Sequence, residues 1–448
     1  MHRFARCFPL ILGLGLLPAG SLRAEEPVSF KNQIAPLLIN KCLACHGEQD
    51  PKGEYQIHTF ERVLKDGYSG SPVISAGKPD ESELLRLIAS EEPEERMPKE
   101  ADPLSPEQVA LVRRWIEEGA KYDADDPKAT LASIVPPATH PAAPPEYRVA
   151  LPVTALAFSP DGARLAAAGY HEVTVWNPND GALLQRIGNI AERVYGLAYS
   201  SDGALLAVAA GTPGSLGEVR LFSTADGSLV RHLVSLSDSA LDVAFSPDGA
   251  KLAACAADRS IRVFDVATGA QEVLIEDHAD WVMAIAWSPD GSKLASASRD
   301  KTAKVFDAKT GDAIITYPGH AEIVYSVDFN ADGTQVLTSG RDKKIHVWSV
   351  AEAKLVGDIG GYGQDVLAVD CQGGQIFSCS ADHTVRQHAL DSRAETRNYA
   401  GHADWVYALA YHDGLKRLAT GGYDGEVRVW NVADGAPIAT FKAAPGLK

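Results

Sequence analysis

One short pattern returns seven times, beginning at Val153, Val194, Ala240, Val282, Val324, Val366 and Val406, at a spacing of about 40 residues. Its fullest form is Val153-Thr-Ala-Leu-Ala-Phe-Ser-Pro-Asp-Gly, and the weakest copies relax the end to Gly-Gly or His-Asp-Gly. Alternating apolar residues running into Asp-Gly are the signature of a strand entering a hairpin. Each period holds four short strands. Such a sheet cannot bury both faces alone, so the repeats must stack, and closing the stack into a ring removes its edges. Seven copies predict an all-β ring of seven blades over 147–445. The outer strand of the last blade is supplied either by residues 147–151 or by 437–443, and the sequence leaves both open. The second copy carries an insert at 211–217, expected as a longer surface loop.

These repeats resemble WD-repeat propellers. That resemblance implies a buried His, Ser/Thr, Asp and Trp network in each blade. The network is complete in the fifth repeat (His320, Thr338, Asp342, Trp348) and the seventh (His402, Thr420, Asp424, Trp430). In the fourth, His278, Ser296 and Asp300 are present with Phe306 in place of Trp, and the third and first repeats keep less. Recurrence at one blade position marks a turn-locking hydrogen-bond network rather than a catalytic triad. The resemblance also implies a docking rim, for which Trp281, Arg299, Arg341, Trp405 and Tyr423 are the candidates. Aromatic and Arg side chains are favoured at interaction hot spots. Cys255, Cys371 and Cys379 fall on strands as buried thiols, and a Cys371–Cys379 bridge would have poor hairpin register.

A different signal stands near the start: Cys42-Leu43-Ala44-Cys45-His46. C-x-x-C-H is the attachment signature of a c-type haem, with two thioethers to the macrocycle and an imidazole to the iron. On one helical turn the three side chains project to the same side. A structural zinc site would need a second Cys/His pair at similar spacing, which is missing. A redox dithiol needs no histidine after the second Cys.

Around this motif the chain reads as a small all-α domain over 27–122. Apolar residues at 30, 34, 37, 38 and 42 lead into it with helical spacing, and Pro36 either starts or bends that helix. A second helix begins near Asp80, the N-cap candidate. The third opens at Ser105-Pro-Glu-Gln108, a capping box with proline in the first turn, and Gly119 ends it. Three such helices packed on a macrocycle would let the haem supply much of the apolar core. For the sixth iron ligand three readings stand: Met97 in its Pro-punctuated loop, His58 giving a bis-histidine iron of lower potential, or an open position. Met97 is favoured, because Met1 is the initiator and Met283 lies within a strand repeat.

Phe30, Ile34-Ala-Pro, Cys42-Leu-Ala-Cys-His-Gly47, Gly77-Lys-Pro-Asp-Glu-Ser-Glu-Leu, Arg96-Met97-Pro98 and Trp115-Ile-Glu-Glu-Gly-Ala120 resemble the cytochrome c domains of planctomycete-type multidomain secreted proteins. The resemblance implies one covalent haem c on Cys42 and Cys45, His46 as proximal ligand and Met97 as distal ligand. Lys99 stands where that family usually has a second proline, which is expected to alter the loop rather than the ligand.

Residues 1–24 read as a cleavable export signal: Arg3 and Arg6, an apolar run over 8–17, then small residues. The run is too short to span a bilayer. A Pro/Ala-rich segment at 123–146 reads as an extended, semi-rigid linker in which His140 is solvated. Net charge is −17, which argues against nucleic acid and acidic membrane surfaces as partners. Residues 25–125 alone hold 12 Lys and Arg against 21 Asp and Glu.

The sequence therefore predicts a periplasmic or secreted electron-transfer protein, with a redox partner and with the propeller docking a protein or ligand. With no second cofactor motif and no convergent acid/base cluster, it reads as a carrier rather than a catalyst. The alternatives are a haem-containing binding, scaffold or sensor protein, or the redox subunit of an oxidoreductase whose substrate sits on the propeller.

Overall fold

A computed structural model describes residues 26–43, 45–47, 52–65, 72–99 and 103–447. The expected export signal over residues 1–24, with Cys7, lies outside them. The chain divides into two compact units, Met1–Pro136 and Pro137–Lys448.

In the first unit, helix Pro106–Glu117 forms where its cap dictates. Ser105 Oγ accepts from Gln108 N at 3.3 Å, and Gln108 Oε1 accepts from Ser105 N at 2.9 Å. The helix buries Val112, Trp115 and Ile116, and Gly119 leaves it at φ +99°. Pro36 starts its helix: one π-type turn, Phe30–Ile34, precedes Ala35–Lys41, and the proline occupies the first turn, where the missing N–H costs nothing. Asp80 does not cap the second helix. A 3₁₀ turn, Pro79–Glu81, comes first, Ser82 takes the cap position of Glu83–Ala89, and Asp80 pairs instead with Arg113 at 2.8 Å.

The unit's own side chains form an apolar core. Phe30, Ile34, Leu38, Leu85, Val112, Trp115 and Ile116 are buried together. Phe30 meets Phe60 edge-on at 4.7 Å and Trp115 at 5.4 Å. Leu131 joins this core, with Leu131 N donating to His58 O at 2.9 Å.

In the second unit, 28 strands make seven four-stranded antiparallel sheets, each in plain chain order. They lie within 156–187, 193–236, 240–275, 282–317, 324–359, 366–398 and 406–442. The first strand of each sheet packs on the first strand of the next, and Leu156–Phe158 meets Val406–His412 to close a seven-bladed propeller. Closure falls to Pro437–Lys442, which pairs with Glu426–Asn431 as the fourth strand of the last blade. Residues 147–151 form no strand.

The recurring Ser-x-Asp-Gly is a turn built from its own side chains. Ser159 Oγ donates to Asp161 Oδ1 at 2.5 Å, Asp161 Oδ1 accepts from Ala163 N, and Gly162 sits at φ +64°. The same bonds recur at Ser200/Asp202, Ser246/Asp248 and Ser288/Asp290. Donation from the serine is the main reason these aspartates are held below the usual carboxylate range.

Blades are clamped to one another at their inner strands. Asp242 Oδ2 accepts from Ile285 N at 3.1 Å, and Asp328 Oδ2 accepts from Cys371 N at 2.7 Å. Thr154 Oγ1 donates to Val194 O at 2.5 Å. The approach is close enough that a Cβ on Gly196 would stand 2.7 Å from Asp242 Cα, so only glycine fits there. Residues 211–217 do not form a loop: they lengthen the hairpin of Leu205–Thr212 and Leu216–Ser223, pairing Thr212 with Leu216. Cys255, Cys371 and Cys379 are buried and free, and Cys379 faces Ala368 rather than Cys371.

The Pro/Ala-rich segment is not a free spacer. Its first part lies in the small unit's core at Leu131, and its last part is bound onto the first two blades. Arg220 Nη2 donates to Ala138 O at 2.6 Å, and Arg186 donates to Pro144 O and Pro145 O. His140 is not solvated: its Nε2 lies 2.9 Å from Glu218 Oε2, with side-chain exposures of 8% and 1%. No described helix is long and apolar enough to cross a membrane.

Candidate haem-binding turn and propeller rim

Regular helix stops at Lys41, and the C-x-x-C-H residues continue it as a single turn. Cys42 N donates to Leu38 O at 2.9 Å, Cys45 N to Cys42 O at 3.2 Å, and His46 N to Cys42 O at 3.0 Å. The i to i−4 bond at His46 gives the helical spacing expected of the motif. Cys42 lies against the unit's core with Leu43, while Cys45 is exposed. Burial, and then the neighbouring Cys45, push the Cys42 thiol up to about 11.

His46 is oriented by its neighbours. Its Nδ1 stands 3.1 Å from the Tyr55 carbonyl, and the N–H donated there leaves Nε2 as the ring's free lone pair. The accepting segment is pinned on both sides: Ile57 N donates to His46 O at 2.8 Å, and Tyr55 OH donates to Val63 O at 2.7 Å. An imidazole held in one tautomer with one nitrogen free is what a metal-ligating histidine requires.

Met97 packs against the same apolar core as Cys42 and Leu43, and Met97 N donates to Leu87 O at 3.0 Å. His58 Nδ1 and Arg96 Nε are buried without a hydrogen-bond partner. Two orphaned polar atoms in so small a unit ask for a ligand or a water. The donor types therefore fit a haem: two thiols, one oriented imidazole and one thioether, with Cys42 and Met97 packed on the same core.

In the propeller the network of the fourth blade is closed, with His278 Nδ1 2.7 Å from Asp300 and Nε2 2.7 Å from Ser296 Oγ. The two blades whose sequence is complete are each open at one link. In the fifth, His320 reaches Asp342 at 2.8 Å and Thr338 at 2.7 Å, but Trp348 Nε1 has no partner. In the seventh, His402 Nε2 reaches Thr420 at 2.7 Å and Trp430 Nε1 donates to Thr420 Oγ1 at 3.0 Å, while His402 Nδ1 is left unpartnered. Asp424 turns to Lys442 instead, at 2.9 Å, because a full charge outbids a neutral ring.

His320, Asp342 and His346 offer three ligand atoms within 4.8 Å of one another. The two imidazoles are stacked at 4.0 Å and 14°, so their lone pairs run side by side instead of converging on one ion. Both nitrogens of His320 are already used. The cluster is a polar lock within the blade.

On the rim, Trp405 and Tyr423 are 46% and 49% exposed, Arg299 and Arg341 are exposed, and Trp281 is half-buried. The structure brings four of these residues together in pairs, Trp281 under Arg299 and Trp405 beside Tyr423. Two rim residues went unnoticed in the sequence. Tyr407 sits 6.2 Å from Trp405 and 5.9 Å from Tyr423, and Tyr325 OH donates to Asp365 at 3.0 Å. The recurring tyrosine after the first strand residue was the signal that marked them.

Residues 42–101 match the family model described as Planctomycete cytochrome C. Residues 149–177, 224–265, 270–307, 311–349 and 393–431 match the WD domain, G-beta repeat. Among curated proteins, Transducin-like enhancer protein 2 of Mus musculus is 33% identical over 72 residues, 16% of this chain and 9% of its own length. Kinesin-like protein KIF21B of Homo sapiens is 35% identical over 81 residues, 18% of this chain and 5% of its own. The chain thus spans less than a tenth of either relative. It joins a segment that matches the planctomycete cytochrome C model to a seven-bladed propeller with five segments that match the WD repeat.

Proposed function

We propose that this chain is an exported c-type cytochrome, carrying one covalent haem for electron transfer, whose propeller docks it to a partner. The observation that carries the reading is His46, fixed by the Tyr55 carbonyl with Nε2 free, on a turn whose cysteines stand ready for the macrocycle. Haem would supply a one-electron iron couple there, and a thioether ligand would raise its potential. Cys42 and Cys45 would anchor it, His46 and Met97 would hold the iron, and the unpartnered Nε of Arg96 would offer a donor beside Met97. Cys42 and Met97 pack against the unit's apolar core, which would shield that side of a bound haem from water.

The acid excess of residues 25–125 favours a redox partner with a basic face. Export to the periplasm or beyond follows from the first 24 residues and from covalent haem attachment.

Absorption spectra of the exported protein, oxidised and reduced, test this. A haem that stays with the polypeptide through denaturing electrophoresis, and a His/Met spectrum lost in Met97→Ala, are the expected results. A colourless product sinks the proposal. The buried, unpartnered Nδ1 of His58 favours one second reading, a bis-histidine iron, in which His58→Ala and not Met97→Ala changes the spectrum. A five-coordinate ferrous iron in the wild type, binding carbon monoxide, would turn the reading toward a sensor.

A further inference from the structure

His-Ala-Asp-Trp occurs twice at the entry to a blade, at 278–281 and at 402–405. Backbone bonds set both copies in the same place. Arg299 N donates to Trp281 O at 2.9 Å, and Tyr423 N donates to Trp405 O at 2.8 Å. Asp280 and Asp404 each accept from the following tryptophan N–H at 2.8 Å. The two corners differ at two positions, Arg299 against Tyr423 and Met283 against Tyr407. In the fourth blade Arg299 lays its guanidinium 4.8 Å from the Trp281 ring centre, with Nε 3.6 Å from Asp280. That corner contains its own cation. In the seventh blade Tyr423 stands in place of the arginine, and among the described residues no Lys or Arg pairs with Asp404.

The seventh blade adds rings where the fourth has a charge. Trp405, Tyr407 and Tyr423 form a nearly equilateral triangle, with centroids 6.2, 6.1 and 5.9 Å apart. A cation resting on that triangle lies within about 6 Å of all three ring centres, the range in which ring quadrupoles attract it. Asp404 supplies the countercharge, as Asp280 does for Arg299. Two of the three rings are half exposed, so the face is open to a partner.

We propose that Trp405, Tyr407, Tyr423 and Asp404 form a receptor for one arginine side chain of a protein partner. The fourth blade shows the ligand chemistry in cis, a guanidinium over tryptophan beside aspartate. The net charge of −17 favours a basic partner. This deepens the docking half of the function proposed above and is independent of the haem half.

The test uses the full chain and the peptide acetyl-Gly-Arg-Gly-amide, followed by tryptophan fluorescence and calorimetry. Its control is the same peptide with citrulline, which keeps the shape and removes the charge. The arginine peptide should bind at least about tenfold more tightly than the citrulline peptide. Tyr423→Arg should abolish binding by supplying the cation in cis, with the melting temperature unchanged. Met283→Tyr/Arg299→Tyr, which gives the fourth blade the same three rings, should open a second site and raise the stoichiometry. Equal binding of the two peptides overturns the proposal, as does undiminished binding by Tyr423→Arg. Choline or methyl glucoside binding more tightly than the arginine peptide also overturns it, in favour of a free ammonium ligand or a sugar. Haem spectra unaltered in Tyr423→Arg keep the two proposals separable, since either one then fails without the other.

Discussion

Glu218 and Arg220 are each 1% exposed and stand 2.7 Å apart. The carboxylate also accepts from Ala191 N at 2.8 Å and lies 2.9 Å from His140 Nε2, while Arg220 reaches Asn189 O and Ala138 O. Burial raises the Glu218 carboxyl, but the His140 hydrogen bond and the Arg220 charge outweigh it and hold the group below its usual range. Its contribution is therefore complete at neutral pH and is lost as acidification passes the lowered folded value. Glu218→Gln keeps the shape and strands a buried guanidinium. Removing one member of a buried pair costs about 3–5 kcal/mol, and the lower end applies because glutamine still accepts from Ala191. An unfolding entropy of about 2.1 cal/mol/K per residue over Pro137–Lys448 converts that to a melting temperature about 5 °C lower. Differential scanning calorimetry of the full chain reads it in the propeller's transition. Glu218→Gln/Arg220→Met, which removes the stranded charge, should recover at least about 2 °C. Lys354→Ala breaks a pair of the same kind whose side chains are 77% and 60% exposed, and should cost less than about 1 kcal/mol. If Glu218→Gln shifts the melt no more than Lys354→Ala does, burial of the pair is not what fastens residues 137–147 to the blades.

Three further outcomes are expected. Asp328 and Asp370 stand on adjacent inner strands; burial, and for Asp328 the charge of Asp370 as well, raise both carboxyls. A raised folded value means stability that is full below the unfolded carboxylate range and lost as pH climbs toward neutrality. Asp328→Asn should flatten that fall in denaturant titrations between pH 5 and pH 9, and an unchanged slope would refute it. Trp430→Phe deletes a donated hydrogen bond, whereas Trp348→Phe deletes none. By urea unfolding the first should cost about 1 kcal/mol more than the second. Ser105→Ala removes one half of the capping box and should lower the stability of the small unit by about 1 kcal/mol, read as a lower midpoint in far-ultraviolet circular dichroism.

Features whose partners sit within a few residues were legible before any folding. The Ser-x-Asp-Gly turns close bonds two and five residues apart, the Ser105 box closes over three, and the turn at Cys42 closes over four. Because the chain itself delivers both partners, residue type and spacing suffice. The 40-residue period belongs with them, since one sheet repeated seven times can bury its faces only by stacking in a ring. Other features depend on partners brought from far along the chain, and local pattern is silent about those. His140 meets Glu218 across 78 residues, so a histidine that reads as solvated becomes buried. Asp80 gives up a cap for Arg113, 33 residues on. Asp424 leaves His402 because an outer-strand lysine reaches it first. Pro437–Lys442, and not residues 147–151, completes the last blade because it pairs with the outer edge of Glu426–Asn431. Two identical four-residue corners part company because one is answered by arginine and the other by tyrosine, 18 residues later. Near-neighbour chemistry was thus determined by the sequence alone, while the contents of the buried and rim contacts were decided by packing, which chooses among distant partners by charge and fit.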